Sequence, residues 1–500
     1  MPRPHPIRTF LALLLPVVLI LGVAGMVLVD LRDGGGPNAG GQATPGQSTS
    51  GSNKETEPTG NEPDLPPLDP QKQAGAAETP TVVSLTYDDG FDDQAGAARV
   101  LDHYGVDGTF YVTDDFIDDP GYMTRADLDA LQRNGHEIGG HTVTHPRLGE
   151  IDAAEARREI CNDRATLFEW GFEPVNMAYP FTSSTPQVEQ IAEDCGYLTS
   201  RGLGEVKSQV GCELCVLAET MPPENSNFLR APAQIDSSWN LDDVKSIVRQ
   251  AQAYGGGWVI FTFHTVCEPI GTKDCEKSLS ATPQLHADVV EWLYGQSQAS
   301  DRGLSVHSVD EVVRSYLGDS YPEPEPPERA PGPEVAPTGK NAVTNPSLES
   351  VDPTTGVPAC FMRGDWGDNT VELESTSPGS AGDTAITLTI TDYEDGEGKI
   401  LPQFDLGTCS PSVEPGATYD LRVDYRLKGT AQMALYYRDA QDHWQYWMSG
   451  PYVEQRNAWA TANFRTPPVP KGATGLSFGL SLISDGTLET DRYRMVAADD

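Results

Sequence analysis

Two adjacent aspartates and two later histidines are the residues of this chain best suited to chemistry. Asp88 and Asp89 directly follow a mostly apolar run, and His141 and His145 come later in a His-x-x-x-His pattern. One aspartate and two histidines can hold a divalent metal and leave coordination positions open. The other aspartate is then free to act as a base on a water molecule that the metal acidifies. These residue types predict a metal-assisted hydrolase.

The elements that must position these residues alternate between strand and helix from residue 81 to residue 317. About seven alternations of this kind predict parallel strands joined by helices, either in a barrel or in a doubly wound sheet. Barrel enzymes place their catalytic groups at the carboxyl ends of the strands. Candidate residues follow predicted strand ends at five positions: Asp88, Asp89, His141, Pro180 and His264. We therefore expect a barrel.

Four motifs in order carry a resemblance to a known family. They are Thr-Tyr-Asp-Asp-Gly at 86–90, His-Thr-Val-Thr-His at 141–145, Ala-Tyr-Pro-Phe at 178–181 and Phe-Thr-Phe-His at 261–264. This series resembles that of the polysaccharide deacetylases, carbohydrate esterase family 4. Members of that family use a divalent metal, usually zinc, to remove acetyl groups from polymeric sugars. The resemblance implies a distorted (β/α)7 barrel as the catalytic domain, over residues 79–318.

The same resemblance implies a role for each motif residue. It implies three ligands for a divalent metal, most simply Zn²⁺: Asp89, His141 and His145. Asp88 would be the general base, and His264 the general acid that protonates the leaving group. The backbone N–H of Phe181 would stabilise the oxyanion of the tetrahedral intermediate.

The chain departs from the family pattern at two places. Many members have an arginine two residues before the proline of the third motif, where it holds the catalytic aspartate, but this chain has Ala178. Arg230 is a candidate to supply that charge, with an ordinary surface role as the alternative. The fourth motif is reduced to Asp236-Ser-Ser-Trp239. Asp236 is a candidate to orient His264, and Trp239 is a candidate to stack on a pyranose ring.

The C-terminal third has a different pattern. Residues 340–500 alternate between apolar and polar positions and show no clear amphipathic helix, which predicts an all-β jelly roll or sandwich. Its opening, Asn341–Glu349, resembles carbohydrate-binding jelly-roll modules. Three tryptophans are candidate sugar platforms, with core packing as the alternative: Trp366, Trp444 and Trp447. Residues 319–339 are acidic and proline-rich, so we expect an extended, semi-rigid linker.

The N-terminal part predicts export. Residues 10–29 are apolar and long enough to span a bilayer, and basic residues precede them. We expect a membrane anchor or signal segment over residues 1–32 and a disordered linker over residues 33–78. The catalytic domain would then lie outside the cell, anchored to the membrane or, if the segment is cleaved, secreted.

Charge and cysteines limit the partners and the compartment. The formal net charge of −40 disfavours binding to nucleic acid or to anionic lipid surfaces. We expect a monomer whose membrane contact is confined to its N-terminal segment. Eight cysteines in an exported chain should mostly pair. Cys360 is expected to pair with Cys409. For Cys212 and Cys215 a short-range disulfide is favoured over half a zinc site or a redox motif, but the connectivity among the first six cysteines stays open, with Cys267–Cys275 as a plausible local loop.

These expectations combine into one leading hypothesis. The chain would remove N-acetyl groups from an N-acetylglucosamine polymer of the cell envelope or the extracellular space, either a chitin-like glycan or peptidoglycan. One alternative is an O-deacetylase (an esterase) of acetylated xylan-type polysaccharide. A second alternative, from a different class, is a non-catalytic protein that binds surface glycans.

Overall fold

A computed structural model describes residues 80–209, 212, 214–273, 275–299, 303–351 and 355–498. The expected anchor and the linker after it, residues 1–78, lie outside these ranges. Within them, no helix combines the length and the apolar character needed to cross a bilayer. The two domains of the described chain belong to one compact unit.

The first domain alternates strands and helices. Its strands are β1 (Thr81–Tyr87), β2 (Thr109–Val112), β3 (Glu137–Gly140), β4 (Asn176–Ala178), β5 (Thr199–Arg201), β6 (Gly257–Phe263), β7 (Thr265–Val266), β8 (Ser280–Ala281) and β9 (Leu304–Val306). Its helices are α1 (Gln94–Tyr104), α2 (Arg125–Arg133), α3 (Ala153–Glu169), α4 (Pro186–Asp194), α5 (Leu241–Ala253), α6 (Pro283–Ser297) and α7 (Val309–Leu317).

Seven of these strands form one parallel sheet in the order β5-β4-β3-β2-β1-β6, with β9 also paired to β1. Strands β1 and β6 are buried along their whole length, as expected of parallel strands covered on both faces. Helices begin where the sequence offers caps: Thr124 and Ser308, for example, each form a capping box with an acidic residue three positions later. The predicted distorted barrel with seven strands is confirmed.

The second domain consists of antiparallel strands only. They are β10 (Phe361–Arg363), β11 (Thr370–Thr376), β12 (Ala385–Thr391), β13 (Gly398–Pro402), β14 (Tyr419–Lys428), β15 (Ala431–Arg438), β16 (Trp444–Val453), β17 (Arg456–Arg465), β18 (Gly475–Leu482) and β19 (Gly486–Ala497). They form two five-stranded sheets, β10-β13-β18-β15-β16 and β11-β12-β19-β14-β17. Apolar residues of both sheets, such as Leu421 and Phe478, share one core. The predicted sandwich is confirmed.

The segment between the domains packs against the barrel. The Arg329 guanidinium contacts Glu169 at 3.1 Å, and the Ala330 amide donates to Asn162 Oδ1 at 2.7 Å. Both partners belong to α3. Residues 321–337 of the expected spacer belong to no helix or strand, and some of them are bonded to α3.

Four disulfides cross-link the described chain. They join Cys161 to Cys195, Cys212 to Cys215, Cys267 to Cys275 and Cys360 to Cys409. The expected Cys360–Cys409 pair is confirmed, and the favoured Cys212–Cys215 pair and the Cys267–Cys275 loop are both present. The remaining pair, Cys161–Cys195, ties α3 to the end of α4.

Candidate metal and catalytic centre

Parallel register brings Asp88 and His264 together. Tyr87 of β1 lies opposite Phe263 of β6, and Asp88 N–H donates to the Phe263 carbonyl at 3.0 Å. Asp88 and His264 therefore follow the carboxyl ends of their strands at the same level of the sheet. The Gln94 side-chain amide, at the start of α1, donates to the Asp88 carbonyl at 2.5 Å and to the His264 carbonyl at 2.8 Å. Gln94 was not predicted as a site residue, and it holds both residues through their backbones.

Three donor atoms converge beside this pair. Asp89 Oδ1 lies 3.3 Å from His141 Nε2 and 3.1 Å from His145 Nε2. The two Nε2 atoms are 3.2 Å apart. Donors held about 2.1 Å from a divalent metal lie about 3.0–3.4 Å apart in octahedral or tetrahedral geometry. The observed triangle therefore fits one face of a metal's coordination shell, and its nitrogen and oxygen donors suit Zn²⁺ and similar ions.

Hydrogen bonding prepares His141 as a ligand. Its Nδ1 lies 2.8 Å from the Ala178 carbonyl oxygen, which can only accept a proton. Nδ1 therefore carries the hydrogen, and the Nε2 lone pair points at Asp89 and His145. A lone pair directed at a carboxylate is repelled unless a cation lies between them. A metal ion between the His141 Nε2 lone pair and the Asp89 carboxylate would supply that cation.

Electrostatics agree with that assignment. Burial by itself would raise the pKa of Asp89, but His145 and His141 beside it hold that pKa well below its usual range. Burial lowers the pKa of His145, although Asp89 opposes the shift. Asp89 is therefore ionised and His145 is neutral near pH 7, which are the protonation states that bind metals.

Backbone strain is concentrated in the same place. Several non-glycine residues here have left-handed backbones: Asp89 at φ 73°, Thr142 at 70°, His145 at 59°, Phe181 at 54° and Thr182 at 57°. Each such residue costs of order 1 kcal/mol or more and persists only where the surroundings over-determine it. The surrounding fold therefore forces these turns, which set the direction of the ligand side chains.

Arg201 supplies the charge that the third motif lacks. Its guanidinium forms a buried ion pair with Asp88 Oδ2, and the two side chains are 1% and 4% exposed. Arg201 is the last residue of β5, a three-residue strand that the sequence pattern did not predict. A sequence signal existed, since Tyr197–Arg201 is a short run bounded by Gly196 and Gly202.

Arg230, the residue expected to fill this role, lies elsewhere. Its guanidinium donates to the Glu219 carboxylate at 2.6 and 2.9 Å. Glu219 is almost fully buried and takes up the charge of Arg230. The expectation for Arg230 is therefore corrected: the ion pair with Asp88 comes from Arg201 on β5, the terminal strand of the sheet order.

His264 stands near Asp88, and no hydrogen bond joins its side chain to Asp236 among the described residues. Its Nε2 lies 3.9 Å from Asp88 Oδ2, and its buried Nδ1 has no hydrogen-bond partner among the described residues. The Asp236 carboxylate instead accepts from Ser238 N–H at 2.8 Å and from Ser238 Oγ at 2.6 Å. Asp236 therefore closes its own turn, and the hydrogen bond to His264 expected of an orienting residue is not formed in this structure.

Aromatic rings border the metal ligands. The Phe181 ring is 49% exposed and lies 4.7 Å from the His145 ring, with the Arg147 guanidinium 4.3 Å from its centre. On the other side, Phe116 lies 6.3 Å from His145 and 4.9 Å from Tyr122, centroid to centroid. Exposed ring faces beside the donors are a suitable surface for a sugar.

The tryptophans predicted as sugar platforms are mostly used in packing. Trp239 is 5% exposed and lies in the barrel core, and Trp444 is 2% exposed and stacks on Phe404. Neither ring is open to a ligand, so both expectations are corrected. Trp447 packs partly against the sandwich core. Trp366 is half-buried, and its Nε1 donates to Glu397 at 2.9 Å.

Part of the chain is similar in sequence to known proteins. Residues 75–200 match the family model described as polysaccharide deacetylase. The chain is 35% identical over 122 residues to a gellan lyase from a Bacillus species, covering 24% of this chain and 5% of that protein. It is 28% identical over 124 residues to the peptidoglycan-N-acetylglucosamine deacetylase PgdA of Listeria monocytogenes, covering 24% of this chain and 25% of that protein. The alignments with these two relatives therefore span a quarter of their own length or less.

One solved structure that resembles the chain is a family 4 acetyl xylan esterase from Clostridium thermocellum in complex with a cobalt ion. It is 18% identical, and the match covers 47% of this chain and 91% of that chain with a TM-score of 0.32. The family match includes the segment that carries Asp88, Asp89, His141 and His145, and it supports a polysaccharide deacetylase domain in this part of the chain.

Proposed function

We propose that the chain is a metal-dependent deacetylase that removes N-acetyl groups from an N-acetylglucosamine polymer, a chitin-like glycan or peptidoglycan. One observation carries the proposal: Asp89, His141 and His145 place three metal-binding atoms within 4.8 Å of one another, beside the Asp88–His264 pair. The deacetylase name of the Listeria relative supports the choice of an N-acetylated glycan.

Asp89, His141 and His145 would hold the metal, most simply Zn²⁺. When bound, the ion supplies Lewis-acid chemistry, since it acidifies water and polarises a carbonyl group. The chain contributes the fixed tautomer of His141 and the ionised carboxylate of Asp89.

Asp88 has the geometry of a general base. Arg201 occupies its Oδ2, while its Oδ1 is buried and has no hydrogen-bond partner among the described residues. Oδ1 can therefore accept a proton from the attacking water, and the ion pair with Arg201 keeps the carboxylate oriented during the transfer.

His264 and Phe181 complete the reaction. His264 would donate a proton to the leaving nitrogen, so that an N-acetyl group and water give a free amine and acetate. The Phe181 N–H would donate to the oxyanion of the tetrahedral intermediate. The left-handed turn at Phe181 and Thr182 fixes the direction of that N–H group.

The test is acetate release from a panel of glycans: chitin oligosaccharides, peptidoglycan and acetylated xylan, each with and without a chelator. We expect release from an N-acetylated glycan, abolished by chelation and restored by Zn²⁺ or Co²⁺. Release from acetylated xylan alone would favour the esterase alternative. Failure to release acetate from any member would favour the glycan-binding alternative.

A variant tests the assigned base. Asp88→Asn keeps the size of the side chain but removes its basicity, so the turnover rate should fall by roughly 100-fold or more. Asp310→Asn, on α7 and paired with Arg314, is the matched control and should keep its activity. Equal rates for Asp88→Asn and the unchanged protein would refute the assignment.

A further inference from the structure

Helix α3 has polar residues buried on the side that faces the sandwich. Glu155, Arg158 and Asn162 are 2%, 6% and 2% exposed, although such residues in a surface helix usually face water. The sandwich covers them: Leu406 N–H donates to Glu155 Oε1 at 2.5 Å, and Asn162 Nδ2 donates to Asp442 Oδ2 at 2.8 Å.

The next positions of α3 hold the turn between the two metal-binding histidines. Glu159 accepts from Thr144 N–H at 2.8 Å and from Thr144 Oγ1 at 2.6 Å. Four residues further along the helix, the Asp163 carboxylate lies close enough to the Thr142 amide for that N–H group to oppose the rise of its pKa. A methyl group at Gly140 would overlap this carboxylate, so glycine is required just before His141. Helix α3 thus contacts the sandwich through residues such as Glu155 and Asn162, and it contacts the turn between His141 and His145, the metal turn, through Glu159 and Asp163.

A second connection runs through the 3-10 turn Asp114–Phe116 that follows β2. Asp115 N–H donates to the Val143 carbonyl, inside the metal turn, at 3.2 Å. The Asp115 carboxylate accepts from Trp444 N–H of the sandwich at 3.1 Å. The third residue of the turn, Phe116, packs against His145.

The sandwich also places a histidine beside a group of buried carboxylates in the barrel. Asp114, Glu159 and Asp163 are each at most 1% exposed, and burial raises the pKa of Glu159 and of Asp163, with neighbouring acids adding to both shifts. Buried carboxylates near one another are costly unless a cation compensates them. His443 Nε2 lies 3.5 Å from Asp114 Oδ2, so the sandwich supplies a cation to this group.

We propose that the sandwich is part of the structure that holds the metal site, so that sandwich docking and metal binding are coupled. The segments Asp405–Thr408 and Asp439–Trp444 fix α3 and the turn Asp114–Phe116, and these two elements fix the His141–His145 turn. The coupling is reciprocal: docking strengthens metal binding, and bound metal strengthens docking. The inference rests on the proposed function only in that it requires a metal at this site.

The first experiment measures Co²⁺ affinity of the full-length, metal-free protein against a competing chelator. His443→Ala removes the cation that faces Asp114 and touches no metal ligand. We expect it to weaken Co²⁺ binding by about 5-fold or more, within the usual range of coupling between sites, and to change the visible spectrum of bound Co²⁺. The matched control is His307→Ala, which removes a histidine paired with Glu311 at 3.3 Å on α7. This control should bind Co²⁺ as the unchanged protein does.

The second experiment needs no variant and tests the reverse direction. Hydrogen exchange of the unchanged protein is followed with and without Co²⁺. We expect the metal to slow exchange in residues 405–408 and 439–444 of the sandwich, and to leave residues 456–465 of β17 unaffected.

Two results would overturn the proposal. One is equal Co²⁺ affinity of the His443→Ala variant and its control. The other is a hydrogen-exchange rate in residues 405–408 and 439–444 that is the same with and without Co²⁺. A full-length protein that takes up no Co²⁺ at all would overturn the metal centre of the proposed function as well. That outcome differs plainly from a variant and a control that bind equally.

Discussion

The carboxyl edge of the barrel sheet and the buried sandwich face that holds Lys399 and Trp444 both gather polar and aromatic side chains, but the hydrogen bonding of those side chains differs. At the barrel edge, Asp88 Oδ1 and His264 Nδ1 are buried without hydrogen-bond partners, and several backbones are left-handed. On the sandwich face, Lys399 Nζ bonds to Glu397 and to the Gly364 carbonyl, and Trp444 Nε1 donates to the Asp405 carbonyl. The unsatisfied polar atoms of Asp88 and His264 lie beside the candidate metal donors, where a ligand could satisfy them, whereas the polar groups of Lys399 and Trp444 are already satisfied, as is usual for packed side chains.

The largest test of this contrast removes one metal ligand. His145→Ala should lower Co²⁺ affinity by well over the roughly 100-fold typical of residues outside the coordination shell, and acetate release should fall in parallel. Trp447→Phe in the sandwich should leave Co²⁺ affinity unchanged. Both are measured by chelator competition. Tight Co²⁺ binding by His145→Ala would break the contrast, because the barrel donors would then be packing residues too.

The next test compares Arg201 with Arg230. Arg201→Ala leaves the buried Asp88 carboxylate without its cation, so the free energy of unfolding should fall by about 3–5 kcal/mol. Because Asp88 also loses its orientation, kcat should fall by roughly 10- to 100-fold.

Arg230→Ala is the matched control, since it strips the cation from another buried carboxylate, Glu219. It should lower stability in urea unfolding and leave kcat unchanged. If both variants lowered kcat equally, the effect of Arg201→Ala would reflect lost stability and not a specific role of Arg201 at Asp88.

A third test uses pH at the contact between the two domains. Burial by itself would lower the pKa of His443, but Asp114, Asp115 and Asp439 raise it to about 9, above about 6.5 in the unfolded chain. The stabilisation is therefore fully present below about pH 6.5 and is lost as pH rises through about 9. It amounts to about 3 kcal/mol at most.

Urea unfolding at pH 6.5 and pH 9.5 measures this effect. The free energy of unfolding of the unchanged protein should fall more over this interval than that of His443→Gln, which cannot gain the charge. Parallel pH profiles for the two proteins would show that the histidine does not stabilise the contact.

The smallest effect concerns sugar stacking. Phe181→Ala removes an exposed ring beside His145, so KM for the glycan should rise roughly 2- to 10-fold. Trp239→Phe, in the barrel core, should leave KM unchanged even if stability falls slightly. A rise in KM for Trp239→Phe alone would restore the original expectation that this tryptophan contacts the sugar.

Residues next to predicted strand ends could be placed from the sequence. Asp88 and His264 each come directly after an apolar run of the kind that forms a buried parallel strand, and parallel strands bring the residues after their carboxyl ends to one edge. Asp89, His141 and His145 were grouped for the same reason, with motif order as support. The role of Arg201 was missed, because its strand has three residues and its partner lies 113 positions away.

The type of an aromatic residue did not predict whether it lies at a sugar-binding surface or in a core. Trp239 and Trp444 were expected to meet sugars, yet both are buried. A large planar ring suits a core and a glycan surface equally well, because both uses depend on apolar contact. The polar residues of α3 show the opposite case: their residue types are usually exposed, yet the sandwich buries them.

By itself, the sequence determined the two folds, the expected Cys360–Cys409 disulfide and the five motif residues that meet at the barrel edge. These come from local patterns: strand periodicity, spacing within a motif and the tendency of parallel strands to end together. Only the tertiary structure decided which arginine faces Asp88, which rings are open to ligand and which face of α3 meets the sandwich. Each of those depends on contacts between residues far apart in the chain, where burial and charge are set jointly by elements that no local pattern connects.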